Sequence, residues 1–366
     1  MSLEGVGEAL VRSPSPSIGD MQHSLPRRWG VERRPGGDTG FRIPATAFAS
    51  WRRWRAESSM GGGSRDPDPG HARLRRGLCA PDSRLSIITQ MEQPTSQPWR
   101  LILSPPASGA QNMALDEAIL ETTASGAALP TLRLYDWDPP CLSIGYAQDA
   151  SEVDQVRLAA LGWDLVRRPT GGRALLHIDE LTYSVAAPAD HPLVRGGVLP
   201  SYRRLSEGLL AGLALLGLRA EVQPEAALST EAKANPVCFQ VPSAYEITVG
   251  GKKLVGSAQV RRRGGMLQHG SLPLRGEIGR VCLALWFAAE AERSQAASRL
   301  RERATTAEAC LGHPVPWQEA AQAMAQGFAR SLGVLLEPGE PTDNEERRAA
   351  RLAAERYECP AWTERT

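Results

Sequence analysis

The feature that most restricts this chain's fold is YEITVGGKKLVGSAQVRR at 245–262, followed by GMLQHGSLPL at 265–274. Apolar residues alternate with polar ones on either side of Gly250-Gly251, the pattern of two strands meeting at a tight bend. So short a connection forces the two strands antiparallel. The next run adds another strand. Further strands are expected at RLILS (100–104), TLRLYDW (131–137), CLSIGY (141–146), DLVRRP (164–169), and ALLHI and LTYSVAAP around 174–188. Helical spacing marks 112–125, with Asn112 as its cap, then 151–161, 201–217, 277–295, 317–331 and 343–357. Strands joined by hairpins, with helices between and after them, give an α+β fold with a mixed or antiparallel sheet. No repeat period, strand–GxGxxG–helix unit or GxxxxGK[ST] loop is present.

At 366 residues the chain has room for two average domains or one large domain with tails. The two halves of that choice differ in composition. Residues 1–96 are rich in Gly, Pro, Ser and Arg, with stretches such as RSPSPS and SSMGGGSRDPDPGH that cannot bury enough surface to offset chain entropy. This segment is expected to be disordered, or to follow a wrongly assigned start, with Met91 the natural first residue. Its ten or so acidic residues argue against a transit peptide. Residues 97–366 then form one catalytic domain that includes the C-terminal helices.

The net charge of +1 disfavours a strongly electrostatic partner such as bulk nucleic acid. The longest apolar run, LLAGLALLGL at 209–218, is too short to cross a bilayer. Six scattered cysteines without a CxxC pair point away from a disulfide framework and a zinc site, and towards a reduced, cytoplasmic setting. No metal-ligand spacing is present.

Three strings could carry chemistry. In RRPTGGRALLH (167–177), the Gly-Gly turn lets backbone approach a ligand, and Arg168 and Arg173 could hold a carboxylate or phosphate; a solvated surface turn reads equally well. In GGKKLVGSAQ (250–259), a strand carries Lys253 beside the small residues Gly256, Ser257 and Ala258, with Lys253, Gly256 and Ala258 expected on one side. An edge lysine guarding against aggregation is the alternative. Lysine occurs only at 233, 252 and 253, so a compact ammonium survives here in an arginine-rich chain. In NPVCFQVP (235–242), Cys238 is either a small buried apolar side chain or a nucleophile whose pKa Lys253 lowers. His177 and His269 are candidate bases or satisfied structural histidines.

Taken in order, NMALDEAIL (112–120), LRLYDWDPPCLSIGYAQ (132–148), RRPTGGRALLH (167–177), ELTYSV (180–185), GKKLVGSAQVRRRGGMLQHGSL (251–272) and ERYECPAWTE (355–364) resemble the biotin–lipoate attachment superfamily. Within it, they are most similar to the lipoate-protein ligase A and LipM-type octanoyltransferase family. The resemblance covers about residues 97–366 and implies a single class II aminoacyl-tRNA synthetase/biotin synthetase-like catalytic domain. Because PVCF (236–239) matches the transferase branch, it also implies transfer of octanoate from octanoyl-acyl carrier protein. The acyl group would pass through Cys238 to a lysine of the glycine-cleavage H protein or another lipoyl domain, with Lys253 supporting the thiolate. Arg168, Thr170, Gly171, Gly172 and His177 would wall the acyl carbonyl. No cofactor or metal and no ATP is implied. The rivals are an ATP-dependent lipoate-protein ligase, an amidotransferase between lipoyl domains, and a silent module that docks lipoyl domains. One departure stands out: His177-Ile178-Asp179 occurs where the family suggests His-Asp.

Overall fold

The computed structural model describes residues 97–223 and 246–365. The chain before residue 97 lies outside them, and so does Cys238. Strand β1 (Gln97–Leu103) runs into helix α1 (Gly109–Ala124), whose start is fixed by a reciprocal capping box between Ser108 and Gln111. The cap is therefore Ser108. Asn112, expected to serve there, lies inside the first turn, where its side-chain amide donates to the carbonyls of Ala107 and Asp136. Strands β2 (Thr131–Tyr135) and β3 (Cys141–Ile144), the short helix α2 (Gln155–Ala160), and strands β4 (Asp164–Arg167), β5 (Leu175–His177) and β6 (Glu180–Pro188) follow. Helix α3 (Val198–Leu215) then leads to β7 (Glu221–Gln223). Strands β8 (Glu246–Val249) and β9 (Lys252–Arg262) form the hairpin at Gly250-Gly251, and β10 (Gly265–Pro273) returns beside β9.

The C-terminal third departs from the expected run of helices. The helix expected over 277–295 is a 3-10 turn (Ile278–Ala284), followed after a break by α4 (Glu290–Arg303). After α5 (Ala307–Leu311) and α6 (Trp317–Leu332), the left-handed Gly333 ends the helix and releases a strand the periodicity does not reveal, β11 (Val334–Pro338). Five residues carry too little periodicity to declare a strand; pairing with β1 decides it. Helix α7 (Asp343–Leu352) passes into a π turn (Ala353–Tyr357) and the short α8 (Pro360–Thr363).

Among the described residues the strands form one mixed sheet ordered β11-β1-β2-β6-β10-β9-β8-β7 and a small sheet ordered β4-β3-β5. The fold is α+β, as the strand and helix pattern implied. One face of the large sheet packs on α3 and α6 through Leu205, Leu209, Leu213, Met324 and Phe328. These two helices touch backbone to backbone, since a Cβ at Gly327 would sit 2.2 Å from the Gly212 nitrogen. Helix α1 covers the other face through Ile119 and Leu120. The small sheet has its own apolar cluster against the 3-10 turn and α4. No helix among the described residues is long and apolar enough to cross a membrane.

Candidate active site

An irregularity in β9 positions the lysine. Simple alternation would put Lys253 on the same side as Val255 and Ser257. However, Ile247 pairs with Val255 while Thr248 pairs with Lys253, so Leu254 is an extra residue against one step of β8. Such a bulge resets the alternation. Leu254 and Val255 both enter the core shared with α3 and α6, and Lys253 turns to the opposite face, with Gly256 and Ala258. Its side chain is 3% exposed, and Nζ lies 2.7 Å from Glu246 Oε1. Its neighbour Lys252 is exposed and donates to the Arg301 carbonyl. The expected grouping of Lys253, Gly256 and Ala258 thus arises through a bulge that strand periodicity does not contain.

A cavity of about 270 Å³ opens on this side of the sheet. Gly256, Ser257 and Ala258 border it from β9, and His177, Arg168 and the Gly171-Gly172 turn border it from the small sheet. Met113, Tyr135, Trp137 and Leu175 supply apolar surface. Ser257 turns its hydroxyl to Tyr183, 2.7 Å away. Lys253 precedes the first lining residue of β9 by three positions. Thr170 stands behind the wall, bonded to His269 Nε2 at 2.7 Å.

Two buried polar networks hold this wall. In the first, Asp116 of α1 accepts from Arg133 (2.8 Å), Tyr135 (2.8 Å) and Ser184 (2.8 Å), and His269 Nδ1 lies 3.4 Å away. Burial works to raise the Asp116 pKa, but Arg133 and His269 outweigh it and hold the carboxyl below its usual range. Burial lowers the His269 pKa more than Asp116 raises it, so the ring is neutral near pH 7. In the second network, Glu180 accepts from His177 Nδ1 at 2.7 Å and from the hydroxyls of Thr182 and Ser271. A carboxylate only accepts, so Nδ1 carries the His177 proton and Nε2 faces the Ser143 hydroxyl at 2.7 Å. The ring also stacks on Trp137 at 3.9 Å. With both nitrogens engaged, His177 and His269 are architectural in this arrangement.

Arg168 and Arg173, expected to hold an anion, are engaged by protein. Arg168 donates to the carbonyls of Gly171, Arg173 and Ser143, and thereby folds the Gly-Gly turn around itself. Arg173 pairs with Glu152 at 3.4 Å. The His177-Ile178-Asp179 departure also resolves. Asp179 has a left-handed φ of 54° and pairs with Arg275 and Arg280, while Glu180 takes up His177. Sequence reasoning missed Asp116, Glu180 and Glu246. For Asp116 the available signal was Arg133, a charge between two leucines of the buried strand TLRLY, which demands a buried carboxylate.

Cys141 and Cys282 are unsuited to nucleophilic work. Burial drives the Cys141 thiol pKa far up and that of Cys282 to about 11, so both stay protonated at neutral pH. Among the described residues no group of three His, Cys, Asp or Glu side chains converges as a metal site would.

A folded-state pKa below the unfolded one makes His269 stabilising in its neutral form. That stability is fully present above about pH 6.5 and is lost as pH falls below it. Melting temperature is therefore expected to decline from pH 6.5 downwards, before carboxylates titrate. His269→Gln should remove up to about 1.4 kcal/mol per pH unit from that slope. Thermal melts of both proteins between pH 7 and 5 check this; parallel curves would contradict it.

The model of the lipoyl protein ligase A/B catalytic domain matches residues 108–329. The chain belongs to this family. It is 45% identical over 273 residues to the octanoyltransferase LipM of Kyrpidia tusciae, covering 74% of this chain and 99% of that one. To the octanoyltransferase LipM of Symbiobacterium thermophilum it is 43% identical over 277 residues, covering 73% and 98%. Among solved structures it is similar to the bi-partite lipoate protein ligase of Thermoplasma acidophilum (26% identity, TM-score 0.62, 73% and 96% covered). It is also similar to a lipoate-protein ligase A bound with ATP (26%, TM-score 0.61, 73% and 99%). In this lipoyl ligase-type family member the matched region spans the cavity, the Gly-Gly turn and Lys253.

Proposed function

We propose that the chain is an octanoyltransferase of this family and works through an acyl-cysteine. The observation that carries the reading is the buried ammonium of Lys253, turned by the Leu254 bulge to the face that bears the cavity. Nearly full-length similarity to octanoyltransferases supports it. Cys238, as thiolate, attacks the thioester carbonyl of octanoyl-acyl carrier protein and forms octanoyl-Cys238, expelling the carrier as a thiolate that takes its proton from water. The ε-amine of a lysine on the glycine-cleavage H protein or another lipoyl domain then attacks that thioester. An amide forms, the cysteine leaves as thiolate, and the proton lost from the amine passes to solvent. The positive charge of Lys253 lowers the Cys238 pKa. Arg168, Thr170, Gly171, Gly172 and His177 shape the wall around the carbonyl; the apolar surface of Met113, Tyr135 and Trp137 takes the chain. Because the donor is already a thioester, the cycle needs no ATP, no metal and no cofactor. Residues 97–366 act as one catalytic unit, in the cytoplasm, on protein partners.

Intact mass after mixing the protein with octanoyl-acyl carrier protein, without ATP, tests this. The expected adduct is one octanoyl group, labile to hydroxylamine and absent from Cys238→Ser. No adduct, together with acylation of a lipoyl domain only when free octanoate and ATP are supplied, would replace this reading with the ligase.

A further inference from the structure

The string ERYECPAWTE, part of the family resemblance, has no place in the chemistry above. Its last residues lie against the loop that follows β3. The side chain of Arg167, the last residue of β4, is buried at 1% exposure and, among the described residues, donates to backbone carbonyls. Three belong to the loop, Gly145 (3.0 Å), Tyr146 (3.1 Å) and Gln148; three belong to the tail, Trp362 (3.1 Å), Thr363 (2.8 Å) and Arg365 (2.8 Å). One guanidinium thus ties the C-terminus to a loop over two hundred residues earlier. Trp362 closes the same knot by donating its Nε1–H to the Arg167 carbonyl at 2.9 Å. Arg365 lies over both the Tyr146 ring (3.8 Å) and the Trp362 ring (4.2 Å).

The loop is in turn the backing of the cavity wall. Tyr146 N–H donates to the Thr170 carbonyl at 2.8 Å, and Thr170 bonds His269. Gly145 lies so close to the Gly171-Gly172 turn that a Cβ there would meet the Gly172 carbonyl oxygen at 1.9 Å. The chain of contacts therefore runs from the tail through Arg167 and the 145–148 loop to the turn that borders the cavity. Loss of the tail carbonyls would leave a buried guanidinium half-satisfied, and the loop would be the element free to move.

We infer that the C-terminal tail is a strap that positions the acyl-site wall, with Arg167 and Trp362 as its positioning residues. The inference rests on the octanoyltransferase reading for its kinetic consequence but not for its structural one. In Trp362→Ala, amide exchange is expected to rise about tenfold over Gly145–Gln148 and Thr170–Arg173, with β6 and β10 unchanged. KM for octanoyl-acyl carrier protein should rise about tenfold, with kcat within about twofold. Trp362→Phe, which keeps an aromatic face for Arg365 but not the indole N–H, should recover most of both. Calorimetric titration with octanoic acid needs no turnover and should show the same weakening.

Unchanged exchange in the loop and turn would overturn the strap. Exchange that rises equally in β6 and β10 would mean general loosening and would overturn it too, as would loosened amides with unaltered KM and octanoate affinity. Failure of the transferase reading is separate, because the unmodified protein would then make no acyl transfer while the exchange and titration still decide the strap.

Discussion

Lys253→Met is expected to lower octanoyl transfer by about 10²–10³-fold, the scale on which removing one preorganised group that stabilises charge at a reacting centre acts. The pH profile carries more information than the size of the loss. With the ammonium gone, the thiol of Cys238 should ionise near its ordinary value of about 8.5. Residual activity should therefore climb with pH to about that point, whereas the unmodified enzyme is already near its plateau at neutrality. Lys253→Arg should not restore the rate, because a planar guanidinium cannot occupy the position of a compact ammonium 3% exposed and 2.7 Å from Glu246. Glu246→Gln serves as the control for the ion pair: it leaves the ammonium in place, so its profile should keep the unmodified shape. Stopped-flow acylation of the protein across pH 6–9 measures all three variants. A Lys253→Met enzyme with an unmodified profile would remove the lysine from the mechanism and leave it as half of a buried ion pair.

Asp116→Ala is the substitution expected to harm the fold most. It would strand Arg133, whose side chain is 1% exposed and otherwise held by Asn112 and Ser104, as a buried charge without its carboxylate. Breaking such a pair from one side costs about 3–5 kcal/mol. For a domain of this size, that corresponds to a fall in melting temperature of about 10 °C. The lowered Asp116 pKa also means that its contribution is present above its unfolded value and disappears as pH falls below it, so the gap between variant and parent should narrow in acid. Replacing both partners, as in Asp116→Leu with Arg133→Met, should recover much of the loss, since an apolar pair needs no solvation. Denaturant titration gives these differences directly. A loss below about 1 kcal/mol for Asp116→Ala would show that the carboxylate does not compensate the arginine.

Much of the site was readable because its signals are local. The Gly-Gly turn and the small residues after Lys253 are each contained in a few neighbouring positions, so no knowledge of packing is needed to find them; the PVCF string is equally local but lies outside the described residues. The hairpin at Gly250-Gly251 was legible for the same reason: turn chemistry and alternation both lie within the segment. What failed was whatever depends on a distant partner. Strand β11 exists because β1 offers it a free edge, and nothing in VLLEP announces that. Asn112 looked like a helix cap because its side chain suits one, yet Ser108, four residues earlier, had a Gln111 to reciprocate. The resemblance leads one to expect an aspartate directly after His177, but Asp179 comes one position later on a left-handed backbone that turns it towards Arg275 and Arg280, and Glu180 takes up His177.

The sequence by itself determined the α+β class, the order of its main strands and helices, the family resemblance and the identities of the residues proposed for acyl transfer, because these are written in periodicity, turn residues and short strings. Only the tertiary structure decided which face of β9 carries Lys253, which carboxylates satisfy Arg133 and His177, and where the C-terminal tail is tied. Each of these depends on groups far apart in the chain meeting in a buried space, where an extra residue in a strand or an unsatisfied charge changes the outcome by more than local preference can.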